Sequence, residues 1–281
     1  MFMRVWFITG ASRGFGLEIA RKALAEGDAV IATARDAGQV KAELADAGDR
    51  LLAVNLDVTD EAAVQGAVAA GVEAFGRIDV LVNNAGRGLL GAVEEASDAE
   101  VRAVYDVNVF GLLAVTRAVL PVMRRQRSGR VLNITSVGGF TTGQGWGLYG
   151  STKFAVEGVS EAMRAELAPL GIKVIIIEPG VFRTDFLDDS SLHTAEQVIE
   201  DYARTSGQTR VWRTENNHAQ AGDPVKAAAA IVSIAGVDDP PVRLQLGADC
   251  VARVEAKLQQ VKTELDEWRE VALATAYDDA G

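Results

Sequence analysis

Arg4-Val5-Trp6-Phe7-Ile8-Thr9-Gly10-Ala11-Ser12-Arg13-Gly14-Phe15-Gly16 is an apolar run that passes directly into a glycine-rich turn. Val5 to Ile8 has the length and residue types of a buried strand. From Phe15 to Glu26 the apolar positions recur three or four apart, which is helical spacing. Gly10, Gly14 and Gly16 therefore fall at a strand-to-helix junction. There, absent side chains let backbone amides approach a pyrophosphate, whose charge the helix N-terminus favours. A lone set of glycines would be an ordinary turn; its place at the first junction makes it a dinucleotide-binding signal.

The same alternation continues outward. Short β-branched runs are expected as strands at about 4–9, 29–34, 51–55, 78–83, 130–135, 172–178 and 242–246, and longer alanine-rich stretches as helices at 15–26, 61–75, 98–126 and 146–168. Repeated β-α units with right-handed crossovers predict an α/β fold: a Rossmann-type doubly wound parallel sheet of about seven strands with helices on both faces. Its ligand crevice lies beyond the carboxyl ends of the strands. The section 181–222 breaks the rhythm, is polar, carries both His193 and His218, and is read as a lid or substrate loop over the site. Past Leu246, Val251, Val254, Leu258, Val261 and Leu265 form an apolar seam, predicting a C-terminal helix over about 248–275 that packs on the parent domain.

A chain of 281 residues, 48% hydrophobic and 24% charged, suits one domain over 1–281. Its net charge of -11 argues against nucleic acid or an anionic membrane as partner. The one cysteine, Cys250, has no partner for a disulfide within the chain and offers no metal cluster, so no metal and a cytoplasmic location are expected. Val5 to Ile8 is too short for a targeting segment, and no run is read as long enough to span a bilayer.

Arg13 lies in the glycine loop and Arg35 just past the second strand, where an acid would otherwise meet a ribose 2'-hydroxyl. Two guanidinium groups there suit a 2'-phosphate and predict NADP(H), with Asp36 near enough to keep NAD(H) in question. Asp57, after the third strand, is a candidate acceptor for an adenine amino group, or else a cap for the helix beyond Asp60.

Tyr149 and Lys153 stand four apart, so a helix through them puts the ammonium beside the phenol. A phenol with an ordinary pKa of about 10 exchanges protons poorly near neutrality, and a nearby positive charge favours its ionised form. Upstream, Ser136 follows the fifth strand, Asn83-Asn84-Ala85-Gly86 follows the fourth, and Asn108 lies between. With Pro179-Gly180 after the sixth strand and Thr184 beyond, these motifs occur in an order that closely resembles the short-chain dehydrogenase/reductase superfamily, in its single-domain, NADP-preferring carbonyl reductase branch.

That resemblance implies that Tyr149 protonates a carbonyl oxygen, Ser136 polarises it, Lys153 binds the nicotinamide ribose and lowers the tyrosine pKa, and Asn108 holds a water for proton relay. It also implies that Asn83 and Gly86 shape the wall against the adenosine and ribose side of the cofactor, that Pro179, Gly180 and Thr184 border its carboxamide, and that Ser12, Phe15 and Ala85 bind it. Gly150, directly after Tyr149, departs from the pattern and is expected to loosen the first helical turn. Similar proteins pair through the long helices that here start at Asp98 and Trp146, so a homo-oligomer, dimer or tetramer, is expected.

Val137, Phe140, Trp146, Val181, Phe182 and Phe186 flank these motifs and predict an apolar pocket with a polar reactive end, for a hydrophobic small-molecule carbonyl or alcohol. The expected activity is carbonyl–alcohol interconversion by hydride transfer from NADP(H). An oxidative alcohol or hydroxysteroid dehydrogenase on the same site, and a non-catalytic NADP(H)-binding regulator, are the alternatives.

Overall fold

Alternate residues of the first strand, β1 (Val5–Thr9), enter two different cores. Trp6 and Ile8 join one face, with Val30, Leu132, Ile175 and Ile177 of neighbouring strands. Val5 and Phe7 join the other, with Ile31, Leu81 and Val131. A strand apolar at every position, and fully buried, belongs in the middle of a parallel sheet covered on both sides. The computed structural model, which describes residues 3–277, shows that sheet. The domain assignment over 1–281 extends beyond those residues at both ends.

Seven strands form it, all pairings parallel, in the order β3-β2-β1-β4-β6-β7-β9. They are β1, β2 (Ala29–Ala34), β3 (Leu51–Asn55), β4 (Val80–Asn83), β6 (Gly129–Ile134), β7 (Ile172–Pro179) and β9 (Arg243–Leu246). Helices α1 (Gly14–Ala25), α2 (Ala37–Glu43) and α8 (Pro224–Ile234) cover the Trp6 face. Helices α3 (Glu61–Phe75), α5 (Leu112–Gln126) and α6 (Gly147–Leu167) cover the Val5 face. The order reverses between β1 and β4, which opens the crevice at the carboxyl ends of those strands.

Three expectations are corrected and one is refined. The single helix over 98–126 is α4 (Asp98–Tyr105) and α5 joined by a wider, π-helical turn at Asp106–Gly111. By length and apolarity this stretch qualifies as a membrane span, contrary to the sequence reading, but more than half of its most apolar window is buried inside the protein. The 181–222 excursion is structured. It contains α7 (Ser206–Asn216) and a strand, β8 (Leu192–Thr194), that pairs with β5 (Gly88–Leu90) in a second small sheet. The C-terminal helix forms as α9 (Ala248–Glu267) and α10 (Arg269–Leu273), yet among its residues only Cys250 and Val254 are buried. Leu258, Val261 and Leu265 stand about half exposed, at 55%, 47% and 52%, so the seam leaves the parent domain beyond Val254.

Candidate active site

The crevice is a cavity of about 900 Å³ walled by the glycine loop, the strand ends, the start of α6 and the 181–222 segment. At its floor, Gly10 has φ of +65°, and a Cβ there would meet the Ala85 Cα at 3.0 Å. A Cβ on Gly16 would meet the Gly10 oxygen at 2.3 Å, so Gly16 closes the loop against the helix and does not line the cavity. Arg13, at the N-cap of α1, makes no side-chain cap, and the first turn of α1 carries no acid. The result is an uncapped helix terminus facing a glycine cradle, which fits a dinucleotide pyrophosphate.

Ser12, Arg13, Gly14, Phe15, Arg35, Asp57, Ala85, Gly86, Pro179, Gly180 and Thr184 all border the cavity. Within that set the guanidinium of Arg13 is engaged by the 181–222 segment, donating to Ser190 Oγ at 2.7 Å, to the Ser190 carbonyl at 3.1 Å and to Ser191 Oγ at 2.7 Å. Asp36 caps α2 by accepting from the Gly38 amide at 2.8 Å. Asp57 accepts from Thr59 N and Thr59 Oγ1, and these bonds, with the charge of Arg35, hold its carboxyl below the usual range. Asp60, not Asp57, caps α3.

Asn83 is not on the wall. It is buried, and its amide donates to Thr116 Oγ1 and Asn133 Oδ1, both at 2.9 Å, inside the sheet. The next residue, Asn84, faces the crevice and donates to the Thr9 and Gly10 carbonyls at 2.9 and 3.0 Å, bracing the glycine loop. Side chains alternate along a strand, so a one-residue error in phase exchanges wall for interior.

At the other end, β6 and α6 bring Ser136, Tyr149 and Lys153 to one place. Lys153 Nζ donates to the Ile134 carbonyl at 3.0 Å and lies 5.8 Å from the centroid of the Tyr149 ring. Burial pushes the Tyr149 phenol up to about 12 against the opposing hydrogen bond of Ser136, so the phenol lies above its ordinary range, not below it where the pairing with Lys153 predicts it. Burial lowers the Lys153 ammonium to about 8, against the charge of Glu157. A protonated phenol beside a hydroxyl is arranged to give a proton to an oxygen that is gaining charge.

Asn108 stands in the π-helical turn, buried, with both side-chain polar atoms engaged. Its Oδ1 accepts from Arg87 N at 2.9 Å, and its Nδ2 donates to Arg87 O at 2.9 Å and Thr152 Oγ1 at 3.0 Å. Thr152 in turn donates to the Tyr149 carbonyl at 2.7 Å, so Asn108 ties the loop after β4 to the helix that bears the tyrosine.

Among the predicted pocket residues, Val137, Trp146, Val181, Phe182 and Phe186 line the cavity. Trp146 and Phe186 pack on Tyr149 with centroids 5.9 and 5.4 Å away. Phe140 does not line it; the ring turns to Val137, Cys250 and Val254 under α9. Sequence reasoning missed Trp212 and Gln208 of α7 and Arg253 of α9, which reach the cavity wall from the far side. The amphipathic pattern of α7 was the available signal for Trp212; only tertiary contact marks the others.

A dinucleotide cofactor bound here would supply the hydride, while the chain's own groups hold it and manage the proton. Comparison with known proteins agrees with this geometry. A family profile described as short chain dehydrogenase matches residues 4–195. Oxidoreductase BOA17 of Botryotinia fuckeliana is 39% identical over 274 residues, covering 97% of this chain and 99% of that protein. A 3-ketodihydrosphingosine reductase of Bacteroides thetaiotaomicron is 38% identical, covering 87% and 88%. The crystal structure of a short-chain dehydrogenase from Streptomyces avermitilis superposes with a TM-score of 0.92 at 43% identity, covering 98% of this chain and 100% of that one. More distant structures hold nicotinamide cofactors. One is a Burkholderia phymatum enzyme with NAD, at 25% identity, TM-score 0.81 and coverages of 94% and 97%. Another is a serine dehydrogenase with NADP+, at 29% identity, TM-score 0.74 and coverages of 86% and 94%. With the glycine cradle, the Ser136, Tyr149 and Lys153 cluster and these likenesses in agreement, the chain belongs to the short-chain dehydrogenase family of oxidoreductases.

Proposed function

We propose that this chain is an NADP(H)-dependent oxidoreductase that interconverts a hydrophobic ketone or aldehyde with its alcohol, working mainly as a reductase. The observation that carries this is the convergence of Ser136, Tyr149 and Lys153 at the apolar end of a cavity whose other end is the glycine cradle. Tyr149, which keeps its proton in its buried setting, is the general acid, and Ser136 polarises the carbonyl oxygen. Lys153 holds the nicotinamide ribose and biases the phenol, and Asn108 positions the tyrosine helix and the proton path beside it. The reductive direction follows from reading the chain as a user of NADPH, the reduced donor.

For cofactor choice, Asp36 spends its carboxylate on the α2 cap while Arg35 borders the cavity, which supports a 2'-phosphate over a free ribose hydroxyl. The aromatic wall of Trp146, Phe186 and Trp212 supports an apolar substrate. The relative that reduces 3-ketodihydrosphingosine makes long-chain ketones the first class to try. The same reading takes the chain as a single-domain cytoplasmic homo-oligomer.

The test is NADPH and NADH oxidation against long-chain aliphatic, aromatic and polycyclic carbonyls, run beside Tyr149→Phe. NADPH-selective turnover that falls roughly a hundredfold or more in the variant is expected. Tight NADPH binding without turnover of any carbonyl or alcohol would replace this reading with a non-catalytic cofactor-binding role.

A further inference from the structure

Behind the catalytic lysine lies a cluster of acids that the reaction above does not use. Lys153, Glu157 and Glu161 follow one another four apart on α6 and so share a face. Glu157 is 5% exposed, and Glu178, at the end of β7, is fully buried. Both meet one guanidinium from β9: Arg243 Nε is 3.0 Å from Glu157 Oε2 and 3.1 Å from Glu178 Oε1. Arg243 also pairs with Glu161. Three carboxyl groups thus face a single cation, two of them out of water, where uncompensated charge is costly.

The hydrogen bonds locate the imbalance. The Arg243 Nε–H is directed to Glu157 Oε2, and Glu178 Oε1 is left buried with no donor. Its other oxygen, Oε2, accepts from Gln245 Nε2 at 2.7 Å. On the far side of Glu157, Thr135 Oγ1 lies 2.7 Å from Oε1 and 3.0 Å from the Ile177 carbonyl, two acceptors for one hydroxyl proton. A proton on Glu157 directed at Glu178 Oε1 supplies the missing donor and brings the buried charge closer to balance.

We propose that Glu157 and Glu178 share one proton near neutral pH and that Glu157 is a positioning residue, its charge setting the pH range over which Lys153 remains an ammonium. This rests on the role given to Lys153 under Proposed function. The groups facing Glu157 are Lys153 and Glu161 from its own helix, Thr135 just past β6, Glu178 from β7 and Arg243 from β9. Gln245 of β9 and Cys250 of α9 face the Glu178 end, and Asp249 and Arg253 of α9 act in turn on Cys250. Burial, reinforced by the charge of Glu178, raises Glu157 to about 7, and burial raises Glu178 as well. As pH climbs through that range Glu157 gains its charge, and it does so just where burial would otherwise strip the proton from Lys153, at about 8. Thr135 adds a mechanical link, because it lies between Ile134, whose carbonyl holds Lys153 Nζ, and Ser136.

The test follows the full-length chain by infrared or carboxyl-carbon NMR titration together with the pH dependence of NADPH affinity and of carbonyl reduction. A carboxyl group protonated at neutrality is expected in the wild type and absent in Glu157→Gln. In that variant the alkaline limit of NADPH affinity and of kcat/KM moves down by about one pH unit, the size of shift a lost neighbouring charge produces. In Glu178→Gln the carboxyl signal moves to lower pH, because Glu157 then ionises without an acidic neighbour, and the alkaline limit stays at or above that of the wild type. A purely structural role would lower activity in both variants with the profile unmoved, and that result, or the absence of a carboxyl titrating near neutrality, overturns the proposal. If Glu157→Gln does not fold, the signal and profile of Glu178→Gln decide. If the wild type reduces no carbonyl, the function reading fails separately, and the titration and NADPH affinity still test the shared proton.

Discussion

Gly150 shows how a single residue supports the chemistry without touching it. A Cβ there would lie 2.5 Å from Thr142 Oγ1 and 3.0 Å from the Gly138 carbonyl, so the loop after Ser136 packs directly on the first turn of α6. The departure expected to loosen the helix is what lets Ser136 and Tyr149 approach. Gly→Ala in a helix ordinarily gains about 1 kcal/mol, whereas overpacking costs about 1–3 kcal/mol. Here the clash involves backbone and should win: Gly150→Ala is expected to lower Tm and to reduce kcat more than it raises KM, as thermal melts and steady-state kinetics would show. Arg35 is the residue on which cofactor preference rests. Arg35→Ala is expected to cut the preference for NADPH over NADH roughly tenfold or more, the worth of one charged hydrogen bond, and an unchanged ratio of affinities would remove the arginine from that role.

Among the elements, the 181–222 segment is held down by ions. Glu95, only 2% exposed, accepts from Ala92 N at 2.7 Å and Ile199 N at 3.1 Å and pairs with Arg210 of α7 at 2.9 Å. Glu100 accepts from Glu196 N at 3.1 Å and meets His193 Nε2 at 2.7 Å. Burial alone would raise both acids, but hydrogen bonds outweigh it and bring each from 4.5 down to about 2: for Glu95 those just named and one from Ser206, for Glu100 first those from Ser97 in its own capping box and then His193 and Glu196. A depressed carboxyl stabilises the folded state above its unfolded pKa and ceases to do so as pH falls through its folded value. The lid is therefore expected to stay anchored above about pH 4.5 and to release between 4.5 and 2, followed by hydrogen exchange in 196–216. Glu95→Gln strips the charge from a buried pair and should open the same segment at neutral pH, at a cost of about 3–5 kcal/mol; unchanged exchange there would show that the apolar contacts of Leu187 and Leu192 hold the lid by themselves.

For the molecule as a whole, the seven-stranded sheet was legible because a parallel sheet buries both faces, and runs such as Val5-Trp6-Phe7-Ile8 leave little choice about where they go. The β5·β8 pairing was not: two three-residue strands about a hundred positions apart carry no period to read. At the site, motif order located Ser136, Tyr149 and Lys153, but the facing of individual side chains depended on phase and packing. Asn83 turned inward where Asn84 turned out, and Phe140 found a better partner in α9 than in the cavity. Those outcomes are settled by tertiary contact, which local sequence does not encode. The central claim is that one cavity holds the dinucleotide by its pyrophosphate at the glycine end and brings its nicotinamide together with a proton donor, Tyr149, at the other. Its most direct measurement is single-turnover reduction of a long-chain ketone with nicotinamide-deuterated NADPH, in the wild type and in Tyr149→Phe. Deuterium on the carbinol carbon of the wild-type product, with transfer nearly abolished in the variant, is the predicted result. Equal transfer in both proteins, or none in either despite bound NADPH, would contradict it.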